Sequence, residues 1–118
     1  MARQYVEHGI QSLIVDYLLK RQFFVFAIPN GAHLAGTRID RAKKMARLKK
    51  EGLRTGMMDL GVLHTGNRSG FIEVKKPGEP RSAEQIWCAG ALHDRGQNYA
   101  LVESIEDVDA ALKAWGWI

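Results

Sequence analysis

The fold of this chain is decided by residues 59–75, which read DLGVLHTGNRSGFIEVK. The apolar stretches 59–64 and 70–75 predict two short strands. Between them, 65–69 read TGNRS, a composition typical of a turn. The segment therefore predicts a β-hairpin.

One face of this hairpin is predicted to carry charge. Side chains alternate along a strand, so Glu73 and Lys75 share a face while Ile72 and Val74 point the other way into a core. If Asp59 pairs near Lys75, then Gly61 lies opposite Glu73 and leaves space for an ion with its waters. Asp59 is then the diagonal neighbour of Glu73, at roughly 7–8 Å between backbones. Both carboxylates could reach one cation.

Two carboxylates and an ammonium in this arrangement are typical of metal-assisted phosphodiester chemistry. Mg²⁺ and Mn²⁺ prefer oxygen ligands and are commonly held by one or two carboxylates together with substrate phosphate. Such an ion acidifies bound water, and a nearby lysine adds positive charge for the phosphate. The alternative is an ordinary surface hairpin whose charged face is solvated.

The wider pattern resembles a known family. The motifs that carry the resemblance are Gly56-Met57-Met58-Asp59-Leu60, then FIEVKKPGE at 71–79, Ser82 with Gln85, and upstream Glu7, Gln11 and Pro29-Asn30-Gly31. This set, in this order and over nearly the whole chain, is similar to the VRR-NUC domain of the PD-(D/E)XK nuclease superfamily. One departure is Met58, which stands where the family usually has proline.

The resemblance implies a restriction endonuclease-like α/β sandwich with a central mixed sheet. It also implies that Asp59, Glu73 and the main-chain carbonyl of Val74 hold Mg²⁺ or Mn²⁺, with Glu7 contacting the ion through water or helping to hold a second one. Lys75 is expected to orient the attacking water or stabilise the phosphate in the transition state.

Gln85 and Glu7 each have a second interpretation. Ser82 and Gln85 have the S-x-x-Q spacing of a capping box, which needs only local backbone, whereas the resemblance puts this glutamine beside the active site. Glu7 could simply complement the dipole of the first helix. The resemblance favours the metal site for Glu7 and leaves the two roles of Gln85 open.

Periodicity along the chain predicts the order α-β-α-β-β-α-β-α in a single domain, 1–118. Helical spacing of apolar residues marks the first and last helices, and the apolar run 23–28 predicts a buried strand that pairs with the hairpin. The loop 30–36, which carries His33, either borders a DNA path or is only a connection. Mixed strands and helices in this order favour an α/β sandwich.

Positive charge concentrates in residues 38–54, which hold eight basic and two acidic residues, a net charge of +6. Apolar residues near helical spacing predict an amphipathic helix with a basic outer face, ending at Gly52. Such a face is either solvated or contacts phosphates without reading sequence. The predicted nucleic-acid contacts are Arg38, Arg41, Lys44, Arg47 and Lys76.

Composition narrows the function class. A net charge of +4 over 118 residues, with 46% hydrophobic and 25% charged residues, is that of a globular protein and permits nucleic acid as a partner. Cys88 is the single cysteine, so we expect no intramolecular disulfide and an intracellular setting. No membrane span, zinc-ligand spacing or phosphate-binding loop is found, so neither a membrane nor a nucleotide cofactor is expected.

The sequence thus predicts a Mg²⁺- or Mn²⁺-dependent endonuclease acting on DNA. Small stand-alone members of the family resemble junction-resolving enzymes, which suggests branched DNA and a homodimer. Trp87, Trp115 and Trp117 could be buried in a dimer interface or in the monomer core. Two alternatives remain: a nuclease of other specificity, such as flap, nick or RNA cleavage, and a module that binds nucleic acid without cutting it.

Overall fold

The computed structural model describes the backbone of residues 3–31 and 34–118, and the side chains of helix α1 from residue 9 onward. His33 lies outside these residues. The elements are α1 Arg3–Lys20, β1 Phe24–Ala27, α2 Arg38–Lys50, β2 Leu60–His64, β3 Arg68–Val74, α3 Ala83–Asp94, β4 Asn98–Val102 and α4 Ile105–Ala114. The predicted order of elements is confirmed.

The four strands form one mixed sheet in the order β1-β2-β3-β4. β2 is antiparallel to both β1 and β3, whereas β4 is parallel to β3. The parallel pair is connected through α3, as a crossover requires. The predicted α/β fold with a central mixed sheet is confirmed.

The hairpin pairs in a different register from the predicted one. Leu60 is opposite Ile72 and Gly61 is opposite Phe71, two residues away from the predicted partner Glu73. The turn takes only residues 65–67, with Gly66 and Asn67 at positive φ, so two more residues join β3. A shift of two residues keeps every side chain on its predicted face.

The sheet packs one face against α1 and α4. Ile72 and Val74 on β3 are buried on this side, as predicted. The cluster combines them with side chains of both helices and of the neighbouring strands: Ile14, Leu18, Phe23, Leu60, Val62, Val102, Val108, Leu112 and Trp117. Glu73, between two core residues of β3, therefore points to the opposite face.

The strand predicted to be buried is instead an edge strand. β1 pairs only with β2, and its Phe24 and Phe26 side chains are 65% and 40% exposed. Phe23, just before the strand, is buried in the core, and Val25 packs against the core while partly buried. The ring of Phe26 lies over Gly61, where an added Cβ would come within 2.2 Å of it. The space at Gly61 thus receives an aromatic ring rather than an ion.

Helix α2 forms as predicted but is not packed as an amphipathic helix. It has no buried residue, and Ile39 is 68% exposed. Thr37 and Asp40 form a capping box at its start, and Gly52 has a φ of +110° just after its end. Among the described residues, its contacts are with the loop that follows β1, since a Cβ on Gly31 would strike Met45. α2 is therefore a basic helix that contacts the loop after β1 and does not pack against the sheet.

The three tryptophans differ in environment. Trp117 is buried, and its ring is tilted against that of Phe23 with the centroids 5.8 Å apart. Trp115 contacts Trp117 edge to face. Trp87 on α3 is 60% exposed, so its assignment to a monomer core is wrong. Within the described part of the chain, no helix is long and apolar enough to cross a membrane.

Candidate active site

Asp59 lies at the end of the sheet where β1 ends and β2 begins. Continuing the hairpin register by one residue brings it level with Glu73 on the neighbouring strand. Its carbonyl accepts from the Ile28 N–H at 2.9 Å, and one carboxylate oxygen accepts from the Val74 N–H at 2.7 Å. Asp59 is thereby fixed beside the Glu73–Val74 peptide. Three of the predicted metal ligands come together here.

Glu73 is a buried carboxylate with incomplete hydrogen bonding. Its side chain is 1% exposed, and Oε1 accepts from Nη2 of Arg81 at 3.2 Å. Its other oxygen, Oε2, is buried and has no hydrogen-bond partner among the described residues. A buried carboxylate oxygen without a partner is costly unless a ligand compensates it. Oε2 of Glu73 is therefore suited to bind a cation or a hydrogen-bond donor.

Lys75 is also buried, at 6% exposure, on the same face of β3. Its backbone N–H donates to the Val102 carbonyl at 2.9 Å, which continues the β3–β4 pairing beyond the strand. Its ammonium favours the charged form of Asp59. The structure thus brings Asp59, Glu73 and Lys75 to one face, as the sequence predicts.

Burial raises the pKa of the Asp59 carboxyl above its ordinary value of 3.8. The Val74 N–H bond and the charge of Lys75 lower this pKa, while the charges of Glu73 and Glu79 raise it further. A second carboxylate close by in a poorly solvated place disfavours the charged form of Asp59. A bound cation would remove this penalty.

Gln85 caps helix α3. Its side-chain oxygen accepts from the Ser82 N–H at 2.8 Å, and the Ser82 hydroxyl accepts from the Gln85 N–H at 3.1 Å. The predicted capping box is confirmed. Capping engages the oxygen of the amide and leaves its NH₂ group as a donor, so a role toward water or phosphate stays a prediction.

The segment before Asp59 rests on the start of α3. Gly56 has a φ of +82°, and a Cβ there would lie 2.5 Å from the backbone carbon of Glu84. Nearby, the Cys88 thiol donates to the Thr55 carbonyl with a sulfur–oxygen distance of 3.6 Å. Burial raises the pKa of that thiol. These contacts fix the path along which the chain enters the site.

The remaining predicted site residues are dispersed. Glu7 belongs to α1, but its side chain lies outside the described residues. Lys76 is half-buried next to the site, and its N–H donates to Glu79. Arg41 and Lys44 on α2 donate to the loop carbonyls of Gly36 and Ala35. Arg38 and Arg47 on the same helix are exposed.

The oxygen donors present suit a hard cation. No group of three His, Cys, Asp or Glu side chains that could hold a metal is found among the described side chains, residues 9–31 and 34–118. Mg²⁺ nevertheless needs only one or two carboxylates when waters and phosphate complete its shell. The unpartnered oxygen of Glu73 and the raised pKa of Asp59 fit such an ion.

Arg81 is a site residue that the sequence did not reveal. It stands immediately before the cap of α3, and its guanidinium reaches Glu73 from there. Its only sequence signal is a basic residue one position before a capping box. That signal acquires meaning only once α3 is known to begin on the Glu73 face of the sheet.

Comparison with known proteins supports the fold. No family model and no curated protein matches the chain. A solved structure described as a VRR_NUC domain is similar to it, with a TM-score of 0.64 and 21% identity over 92% of this chain and 95% of that chain. The chain has the fold of a VRR-NUC domain. The resemblance stated from the motifs is confirmed at the level of fold.

Replacing Arg81 in this VRR-NUC fold is expected to destabilise it. Arg81→Met keeps an unbranched side chain but leaves the buried Glu73 carboxylate without its donor, at a cost of about 1–3 kcal/mol in the free energy of unfolding. Denaturant unfolding without divalent ions measures this loss. Added Mn²⁺ should narrow it, because a cation would compensate Glu73.

The matched control is Arg95→Met. Arg95 is exposed at the end of α3 and donates to the Ala91 carbonyl at 2.9 Å. This change should cost less than about 0.5 kcal/mol. Equal losses in the free energy of unfolding for the two variants would show that the ion pair with Glu73 stabilises the fold no more than an exposed hydrogen bond does.

Proposed function

We propose that this protein is a divalent-metal-dependent nuclease that hydrolyses DNA phosphodiester bonds. The observation that carries the proposal is the buried Glu73 carboxylate beside Asp59 and Lys75 on one face of the sheet; its Oε2 has no hydrogen-bond partner among the described residues. A pure binding surface has no need to hold two carboxylates where phosphate must approach. The fold shared with a VRR_NUC domain agrees with this reading.

In the proposed site, Asp59, Glu73 and the Val74 carbonyl would hold Mg²⁺ or Mn²⁺, and Glu7 would contact the ion through water or help to hold a second one. When bound, the ion supplies Lewis acidity toward phosphate and a more acidic water. Lys75 provides a buried positive charge that orients the attacking water or stabilises charge on the phosphate in the transition state. Arg81 acts as a positioning residue, because it fixes Oε1 of Glu73 and does not engage Oε2.

The position of α2 favours nucleic acid as the substrate. The chain leaves the sheet after β1 and returns at Asp59. Helix α2 is therefore inserted at the end of the sheet that carries Asp59. Arg38 and Arg47 are exposed there, while Arg41 and Lys44 stabilise the loop and could still reach phosphates. Such contacts hold the backbone of DNA without reading its bases.

Branched DNA and a homodimer are the finer parts of the proposal. A symmetric junction is most simply cut at two strands by a two-fold dimer. The edge strand β1 supports this, because it exposes Phe24 and Phe26, and Leu63 opposite Phe24 is 43% exposed. Exposed edges with large apolar side chains are typically covered by a partner.

The test is cleavage of labelled four-way, flap, nicked and linear DNAs and of a labelled RNA, with Mg²⁺, with Mn²⁺ and with EDTA. Wild type should cut only with a metal ion, and Glu73→Gln should not cut. Paired symmetric cuts in the four-way substrate would support junction resolution; preferential cutting of a flap, a nick or RNA would support the other specificities. Tight, salt-dependent binding without cleavage under any metal condition would favour the silent binding module.

The contribution of α2 to binding can be measured separately. Arg38→Gln with Arg47→Gln should lower the slope of log K against log salt concentration by about 2, at roughly 0.9 per phosphate contact on B-DNA. Linear and branched DNAs should be affected equally, since these contacts carry no sequence or structure information. Fluorescence anisotropy in EDTA over a salt series measures the slope.

Arg68→Gln is the control for charge alone. Arg68 lies beside the hairpin turn, at the opposite end of β2 and β3 from Asp59. Its removal should leave the slope unchanged. A slope that drops by the same amount for Arg68→Gln would indicate a diffuse charge effect rather than contact along α2.

A further inference from the structure

An exposed tryptophan lies next to the candidate site and is not used by the chemistry. Trp87 on α3 is 60% exposed, and the guanidinium of Arg54 lies over its ring, 5.1 Å from the centroid. A cation–π contact of this kind orients the ring and covers one of its faces. Much of the remaining ring surface is open to solvent.

The pair is anchored to the segment that delivers Asp59. Thr55, next to Arg54, accepts from the thiol of Cys88, next to Trp87, and Gly56 packs on the first turn of α3. Asp59 is five positions after Arg54, a span of at most about 18 Å in extended chain. At about 3.4 Å per nucleotide along a duplex strand, this is within some five nucleotides of the scissile phosphate.

We propose that the Arg54–Trp87 pair is a stacking platform for an unpaired base next to the cleavage site. This inference rests on the proposed nuclease function and deepens it by naming the substrate feature that the site recognises. An indole face cannot read the edges of paired bases, but it stacks on any base that has left the helix. Arg54, the last residue of the basic stretch 38–54, adds a charge for the adjoining phosphate.

Unpaired bases occur in flaps, forks and single strands and not in intact duplex. The platform thus provides a physical basis for selecting DNA with a single-stranded part over intact duplex. The platform can stack on any of the four bases, because every base has a π face. Because Arg54 already holds the ring, little side-chain freedom is lost when a base binds.

The test compares Trp87→Ala, Trp87→Phe and Ile86→Ala with wild type in EDTA, where no cleavage occurs. Ile86 is the matched control, since it precedes Trp87 on the same helix and is 57% exposed. The probes are a forked DNA with 2-aminopurine in the unpaired arm and a blunt duplex of the same length. Affinity is measured by anisotropy, and stacking by quenching of the 2-aminopurine.

Trp87→Ala should bind the fork about fivefold to a hundredfold more weakly, from the loss of one base–aromatic stack, and should lose the quenching. Trp87→Phe should recover most of both, while Ile86→Ala should resemble wild type. All four proteins should bind the duplex equally. Thermal unfolding confirms that each variant is folded, as expected for exposed side chains.

Three results would overturn the inference. Fork binding and quenching that are unchanged in Trp87→Ala would reject the platform and leave the nuclease proposal standing. A dimer of wild type that becomes monomeric in Trp87→Ala on sedimentation would assign Trp87 to a subunit contact. Wild type that binds neither DNA would reject the proposed function itself.

Discussion

Asp59→Asn is expected to abolish cleavage and at the same time to stabilise the protein at neutral pH. The substitution keeps an oxygen that can accept from the Val74 N–H, now 2.7 Å from the carboxylate. It removes the charge that a metal ion requires. Loss of several kcal/mol of transition-state stabilisation corresponds to about a thousandfold or more in rate.

The gain in stability follows from the raised pKa of Asp59. A folded-state pKa above the unfolded value means that the fold disfavours the charged carboxylate. The penalty is fully present above the folded-state pKa, and it disappears as the pH falls toward the ordinary value of 3.8. The difference between Asp59→Asn and wild type should thus be largest near pH 8 and shrink on acidification. Urea unfolding at several pH values without divalent ions measures it.

Divalent ions should reverse the order of stability. An ion that binds only the folded state stabilises wild type by about 2.7 kcal/mol at a hundred times its dissociation constant. Asp59→Asn lacks one ligand and should gain much less. Wild type that gains no stability from Mg²⁺ or Mn²⁺ at millimolar concentration would contradict a metal site at Asp59, whatever the activity assays give.

Asp16→Asn is the control for the removal of a carboxylate. Asp16 is exposed on α1 and pairs with Lys20 at 3.0 Å. Its replacement should lower stability by no more than about 0.5 kcal/mol, without the pH dependence expected for Asp59. A gain of equal size in both variants would point to general charge effects rather than to burial of Asp59.

The order of elements was predictable because each signal is local. The capping box of Ser82 and Gln85, and the alternation of buried and site-facing side chains around Glu73, depend only on neighbouring residues. The hairpin register was not predictable, because it depends on whether a turn of three or five residues forms. The error was two residues, so the site face survived, but two predicted partners were wrong: Gly61 is opposite Phe71 rather than Glu73, and Asp59 is level with Glu73 rather than Lys75.

The environment of each element could not be read from periodicity. The run 23–28 is as apolar as a central strand, yet the sheet order makes β1 an edge. α2 has apolar residues at helical spacing but no element to bury them against. Arg81 became part of the site only through the packing of α3. Asp59, Glu73 and Lys75 were predictable because one hairpin carries all three.

Gly56→Ala is expected to destabilise the fold strongly and to disturb the site. Gly56 has a φ of +82°, which costs an L residue about 1–2 kcal/mol. The new Cβ would also lie 2.5 Å from the backbone of Glu84 and 2.7 Å from the Gln85 nitrogen, at the capped start of α3. Backbone cannot rotate away, so overpacking adds about 1–3 kcal/mol. The sum is a large part of a typical stability of about 5–15 kcal/mol.

Gly116→Ala separates the two causes. Gly116 has a similar φ of +76°, but apart from its chain neighbours a Cβ there would meet no atom of the described residues within 4 Å. It should therefore lose only the backbone part, about 1–2 kcal/mol by urea unfolding. In Gly56→Ala the excess loss comes from pushing the 54–56 segment away from α3, which also displaces Asp59 three residues later. Stabilisation by Mn²⁺ should consequently be weakened in Gly56→Ala and kept in Gly116→Ala; equal responses would show that the contact with α3 does not position the site.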